Sequence, residues 1–222
     1  MIRVFIGFDR REAVAFSVLA YSLQVRASVP VTIAPVMLSQ LGACFRRERH
    51  ALQSTEFSFS RFLVPSLSDF EGWSIFMDCD MLARADIAQL WALRDERCAV
   101  QVVQHDHRPR EQSKFLGQPQ TAYAKKNWSS VMLLNNARCR ALTPEYVNTA
   151  TGLELHQFKW LEGDHCIGAL PRRWNHLVGY DPPDPHAAIV HYTLGGPWFG
   201  ESADHEFAAE WHAERARMLQ SG

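Results

Sequence analysis

The stretch that most constrains this chain runs from Trp73 to Leu82, Trp-Ser-Ile-Phe-Met-Asp-Cys-Asp-Met-Leu. Trp73 to Met77 are apolar and bulky apart from Ser74, the composition of a strand covered on both faces. Side chains alternate along a strand, so Asp78 and Asp80 fall on one side and Cys79 on the other. Two ionised carboxylates side by side repel each other, and a divalent cation between them removes that cost. The carboxyl end of a strand is also where open α/β sheets keep their ligands. An isolated D-x-D reads as two solvated acids in a loop; the buried strand in front of this pair gives it a fixed platform.

A D-x-D in that position fits two chemistries. In one, the pair holds a cation and a sugar-nucleotide diphosphate. In the other, the first Asp is a nucleophile that becomes phosphorylated. The second arrangement usually sits on the first strand and continues to a Thr or Ser two residues beyond the second Asp. Here the motif lies a third of the way along and Leu82 fills that place, which favours the first.

With 222 residues, 47% hydrophobic and 21% charged, the chain suits one α/β domain over 1–222 with a full core. A formal net charge of −1 argues against a nucleic-acid binder that works through a basic surface. The five cysteines, 44, 79, 98, 139 and 166, contain no C-x-x-C and read as reduced thiols. The N-terminus enters a strand at once, and no apolar run is long enough for a transmembrane segment. A cytoplasmic location is the expectation, with docking on a membrane surface compatible with it.

Arg3 to Gly7 read as the first strand, and Asp9 with Glu12 as a capping-box-like start to an amphipathic helix over Ala13 to Leu23. Asp9 therefore has two available roles, helix cap and ligand contact at the sheet edge. Val29 to Met37, broken by Pro30 and Pro35, suits an edge strand. The basic connector 38–55, with Arg46, Arg47, Arg49 and His50, reads as a solvated face. Phe57 to Leu67 reads as a helix under the central strand; an Arg in such a helix is normally a surface residue, but near two carboxylates Arg61 could pair with them or reach a diphosphate. Asp86 caps a helix over Ile87 to Leu93, and Cys98 to Gln104 make a strand. His105 and His107, without a third ligand, read as part of a rim loop rather than a zinc site. Residues 112–124 read as loop and Val131 to Leu134 as a buried strand. Thr143-Pro144 opens a helix that Gly152 ends. Ala187 to Tyr192 make a strand carrying His191, and Asp204 to Gln220 form a helix whose Phe207, Trp211 and Met218 pack into the core. Strands alternate with helices in the first half, which implies a mainly parallel sheet. The expected division is a nucleotide-binding half, about 1–104, and an acceptor-facing half, about 105–222.

In order along the chain, Phe5-Ile6-Gly7-Phe8-Asp9, Ser60-Arg61-Phe62-Leu63-Val64-Pro65, the D-x-D stretch, Val131 to Asn135, Leu170-Pro171 with Trp174-Asn175, and His191-Tyr192-Thr193 with Pro197-Trp198 resemble glycosyltransferase family 8 and its relatives. The resemblance implies the GT-A fold, a single domain with a Rossmann-like, mainly parallel sheet flanked by helices. It implies a nucleotide-sugar donor, UDP-linked, a Mn2+ or Mg2+ ion, retention of anomeric configuration, and a glycan, lipid-linked or protein acceptor. It assigns Asp78, Asp80 and His191 to the metal. Asp78 also lies near the donor sugar or ribose, Asp9 with Phe8 at the nucleobase end, and Arg61 at the donor sugar or diphosphate. A hard cation with two carboxylates and one imidazole is chemically consistent with that set.

Three departures stand out. The family usually has a Lys just before the terminal Pro-Trp, where this chain has Gly196; backbone N–H groups of Gly195 and Gly196, helped by Arg61 or Lys126, would have to grip the diphosphate instead. The family's Phe-Asn-x-Gly is replaced by Asn127-Trp128-Ser129-Ser130. Its Asp-Gln-Asp is not intact, and Asp164, then Glu162, are the catalytic carboxylates on offer. Two alternatives compete: a nucleotidyltransferase, disfavoured because Gly7-Phe8-Asp9-Arg10-Arg11 is no phosphate loop, and a catalytically degenerate sugar- or nucleotide-binding protein.

Overall fold

A computed structural model describes residues 1–48, 53–106 and 123–220. Among the described residues nine strands follow one another: β1 (Ile2–Gly7), β2 (Val31–Val36), β3 (Trp73–Met77), β4 (Met81–Ala83), β5 (Val100–Val102), β6 (Val131–Asn135), β7 (Ile167–Ala169), β8 (His176–Leu177) and β9 (Ile189–His191). Six form the main sheet in the order β2-β1-β3-β6-β5-β7; β4, β9 and β8 form a small second sheet. In the main sheet β2-β1, β1-β3 and β5-β7 pair in parallel, while β6 runs antiparallel to β3 and β5. The sheet is thus mostly parallel, with helices packed on it. β2 is an edge strand, as its Pro35, opposite Ile6, requires, and Pro30 immediately precedes it.

β3 is buried along its whole length, between β1 on one side and β6 on the other. Its Ile75, Phe76 and Met77 are completely buried, each worth roughly 1.5–3 kcal/mol relative to an exposed side chain. The helix Ala13–Arg26 is buried on two faces, where one was expected. Leu19 and Leu23 enter the main core, while Val18 meets Leu82, Val190, Tyr192 and Trp211 in a second, smaller core. The C-terminal helix Ala208–Gln220 supplies Trp211 to that second core. It is tied to the first helix by a two-pronged Arg26–Glu214 pair at 2.7 and 2.8 Å.

Several sequence expectations change at their ends. The Phe57–Leu67 segment is a 3-10 turn, Ser60–Leu63, continued by a single α-turn over Val64–Leu67. Gly152 does not end the helix begun by Thr143-Pro144, which stops at Thr149. It opens the next one, Gly152–His156, where Thr151 and Glu154 form a capping box. Arg49, His50, His107 and residues 112–122, for which roles were expected from the sequence, lie outside the described residues.

Candidate functional site

Asp78 and Asp80 follow β3 directly, and the ladder continues past the strand end through Asp78 N–H to Ser130 O at 2.9 Å. β4 begins at the next residue and pairs antiparallel with β9, placing Met81 opposite His191. Tyr192 N–H donates to Asp80 O at 2.9 Å and closes the register. This small sheet carries a histidine more than a hundred residues away to the acid pair. Ligand atoms of Asp78, Asp80 and His191 all lie within 4.8 Å of one another, and all three side chains are buried.

The hydrogen bonds behind the imidazole fix its tautomer. Asn175 Nδ2 donates to Ser130 Oγ at 2.8 Å and Asn127 O at 3.3 Å, leaving its Oδ1 to accept from His191 Nδ1–H at 2.9 Å. A neutral ring so held turns the Nε2 lone pair outward, and Nε2 lies 3.3 Å from Asp80 Oδ1. Two acceptors at that distance require a proton or a cation between them. Two carboxylate groups, one correctly presented imidazole and an outer partner for that imidazole therefore suit a divalent ion. Asn175→Leu keeps the volume and removes the orienting acceptor. It is expected to weaken Mn2+ binding by about 10–100-fold, measured by calorimetric titration; unchanged affinity would show that the ring needs no such support.

Arg61 projects from the 3-10 turn into the site. Its Nη1 lies 2.7 Å from Asp78 Oδ1 and donates to Ser129 O at 3.0 Å. The guanidinium carbon is 5.2 Å from the ring centroids of both Phe57 and Phe76, so the group is stacked as well as paired. Lys126 is buried, with Nζ 5.3 Å from the Tyr123 ring centroid.

Asp9 is completely buried and fully engaged. Oδ1 accepts from Arg11 N and Nε, and Oδ2 from Arg11 Nη2 and Glu56 N. Burial pushes the Asp9 carboxyl up, but the bonds from Arg11 and Glu56 prevail and hold it below its ordinary value. The capping role is thus realised, over the 3-10 turn Arg10–Glu12. Phe8, beside it, is half-buried against Phe16 in an edge-to-face contact at 5.4 Å.

The Gly195-Gly196 anion nest is largely absorbed by the fold. Gly195, at φ 115°, donates its N–H to Tyr192 O at 2.9 Å within the turn. A Cβ on Gly196 would lie 2.1 Å from the Trp198 ring, so that glycine makes room for the indole. Of the two catalytic carboxylates on offer, Asp164 is exposed and pairs with Lys125 Nζ at 2.5 Å. Glu162, also exposed, groups with His165 and Cys166. Neither belongs to the three-residue group at Asp78.

Sequence reasoning passed over Glu12, treating it as a capping residue. Its side chain is completely buried, Oε2 lies 3.9 Å from Cys79 Sγ, and Oε1 has no hydrogen-bond partner among the described residues. Burial first, then Asp80, Asp9 and Asp78, push the carboxyl well above its ordinary value near 4.5. A carboxyl raised on folding supports the fold below its unfolded pKa and loses that support as pH rises through the folded value. Glu12→Gln should therefore raise the melting temperature in chelator at neutral pH, by about 2–4 °C per kcal/mol relieved. The gain should shrink below about pH 4.5. A melting-temperature difference that does not change with pH would mean that Glu12 is ionised in the fold.

The fold is that of the GT-A glycosyltransferases. Solved structures with this architecture include GlyE from Streptococcus pneumoniae TIGR4 (TM-score 0.65, 14% identity, 99% of this chain and 62% of GlyE). Another is the galactosyltransferase LgtC in complex with donor and acceptor sugar analogs (TM-score 0.59, 13% identity, 97% and 96%). A third is the bifunctional WbbM (TM-score 0.61, 16% identity, 97% and 49%), so the chain spans about half of WbbM and under two thirds of GlyE. At the level of sequence, the chain belongs to the family of Protein CDI from Arabidopsis thaliana. The two are 48% identical over 218 residues, 94% of this chain and 84% of that protein. No family model matches the chain.

Proposed function

We propose that this chain is a metal-dependent glycosyltransferase, of the family 8 type, that moves a hexosyl group from a UDP-linked donor with retention. The acceptor class is a glycan, a lipid-linked sugar or a protein. The observation that carries the reading is the convergence of Asp78, Asp80 and His191 at the end of β3, with Asn175 presenting the imidazole.

A bound Mn2+ or Mg2+ would neutralise the negative charge that builds on the departing diphosphate. The protein's own part is to bind and to hold. Arg61 pairs with Asp78 and orients it, and its Nε, buried and without a partner among the described residues, is a donor for a diphosphate oxygen. Lys126 adds a second buried positive charge. Where the family has a lysine this chain has Gly196, whose open side the Trp198 indole fills, so Arg61 and Lys126 carry the positive charge toward the diphosphate. Phe8 and Asp9 bound the nucleobase end. Among the described residues no helix is long and apolar enough to cross a membrane, so acceptors held in a membrane would be met at its surface.

The test is a melting-temperature screen of nucleoside diphosphates with and without Mn2+, followed by product analysis with UDP-sugars. A ligand at a hundredfold excess over its Kd adds about 2.7 kcal/mol, or roughly 5–10 °C for a chain of this size. A shift that needs both UDP and Mn2+, with release of UDP from a UDP-sugar, supports a transferase. A shift without turnover supports a degenerate binding protein, which the loss of the lysine at Gly196 and the engaged N–H of Gly195 favour as the second reading. No shift with any nucleotide overturns both.

A further inference from the structure

Glu162, His165 and Cys166 each offer a ligand atom, and these atoms all lie within 4.8 Å of one another. We propose that this trio is a second metal site, for a borderline-soft transition ion such as Zn2+, with water in the fourth position. The inference goes beyond the glycosyl-transfer reading and does not rest on it.

The trio is remote from the acid pair. Cys166 O accepts from Ala99 N–H, and Ala99 O from Asn135 N–H, both within the main sheet. Asn135 is opposite Trp73, the first residue of β3, whereas Asp78 follows the last. The backbone of Cys166 is therefore about 16 Å from the level of Asp78 along the strand direction, at about 3.3 Å per residue. It is also three strands across, immediately before the edge strand β7.

The donor set differs as well. Thiolate and imidazole select Zn2+ and its neighbours, while two carboxylates and an imidazole suit Mn2+ or Mg2+. Tetrahedral Zn–S and Zn–N bond lengths put neighbouring ligand atoms about 3.5 Å apart, so closing the site takes roughly 1 Å of movement. The trio is built to allow it. Cys166 is buried and held by its backbone, donating N–H to Gly163 O at 3.1 Å and accepting from Ala99. Glu162 and His165 are exposed and adjust around that anchor. Gly163 is what lets the imidazole fold back: a Cβ there would lie 2.9 Å from His165 Nδ1. An ion on this trio would pin the 162–166 segment to the start of β7.

The experiment uses the full chain and the metals alone. Cobalt(II), which takes zinc's geometry, is titrated in the Asp80→Asn background so that the first site does not compete. The expected result is a thiolate-to-cobalt charge-transfer band that saturates at one equivalent and is displaced by Zn2+. Cys166→Ser should abolish the band. His165→Ala, at an exposed position that does not threaten folding, should weaken Zn2+ binding by at least about tenfold, since losing even an outer partner costs 10–100-fold. Absence of the band in the parent chain, its survival in Cys166→Ser, or unchanged affinity in His165→Ala would each overturn the proposal.

Discussion

Asp80→Asn is expected to move two observables in opposite directions. Metal-dependent turnover of a UDP-sugar should fall by at least about a hundredfold, beyond the 10–100-fold typical of losing an outer-shell partner. The melting temperature in chelator should rise. The first effect follows because the amide keeps the shape but removes one of two charges on which a hard cation depends. The second follows because Asp80 shares a buried space with Asp78 and lies close enough to Glu12 to raise its carboxyl. Removing one like charge relieves that repulsion in the metal-free protein. The backbone is not at risk, since Asp80 contributes its carbonyl, not its side chain, to the bond from Tyr192. Differential scanning in chelator and in Mn2+, alongside a UDP-release assay, reads both. A variant that is less stable in chelator, or that keeps Mn2+-dependent turnover, would mean that Asp80 has another job.

The opposing signs explain why this part of the molecule was legible in the sequence. Two acids spaced to face the same way after a buried strand are costly to the fold, so the motif could be read as function without any structure. His191 was legible only through family resemblance. Nothing in Ile-Val-His announces that β4, three residues long, will pair with it. The antiparallel course of β6 was hidden for a related reason: Val131 to Leu134 is apolar throughout, and burial on both faces erases the periodicity that would distinguish strands by environment. Asn175 was visible as part of a motif, but its role needs the ring it orients. Glu12 was misjudged because capping statistics count local neighbours, whereas the groups that raise its pKa include Asp78 and Asp80 from another strand end. The Gly152 boundary was legible as a helix start, since Thr151 and Glu154 spell a capping box. Asp164 and Glu162 stood out in the sequence as candidate catalytic carboxylates, whereas the grouping of Glu162 with His165 and Cys166 is visible only once the turn before β7 brings their ligand atoms together.

Arg61 is the residue on which the two roles of this site, folding and binding, meet, and Arg61→Met is the second large effect. Both side chains of the Arg61–Asp78 pair are nearly out of water, at 6% and 12% exposure. Removing one partner of such a pair costs about 3–5 kcal/mol, because the other charge stays buried without compensation. For a chain of this size that is roughly a 6–20 °C fall in melting temperature. Methionine fills the slot between Phe57 and Phe76 without a cavity, so the loss isolates charge from packing. Two rescues then separate the causes. Arg61→Met with Asp78→Asn should recover most of the stability, since the stranded charge is gone, and a double-mutant cycle gives the coupling directly. Mn2+ should stabilise Arg61→Met by more degrees than it stabilises the parent, because an ion beside Asp78 supplies the positive charge that the guanidinium provided. If Asp78→Asn deepens the damage, the guanidinium holds the fold through Ser129 O and the aromatic rings. In that case the Asp78 pairing is incidental. If Mn2+ gives both proteins the same increment, the ion and Arg61 do not share Asp78, and the cation is held without it.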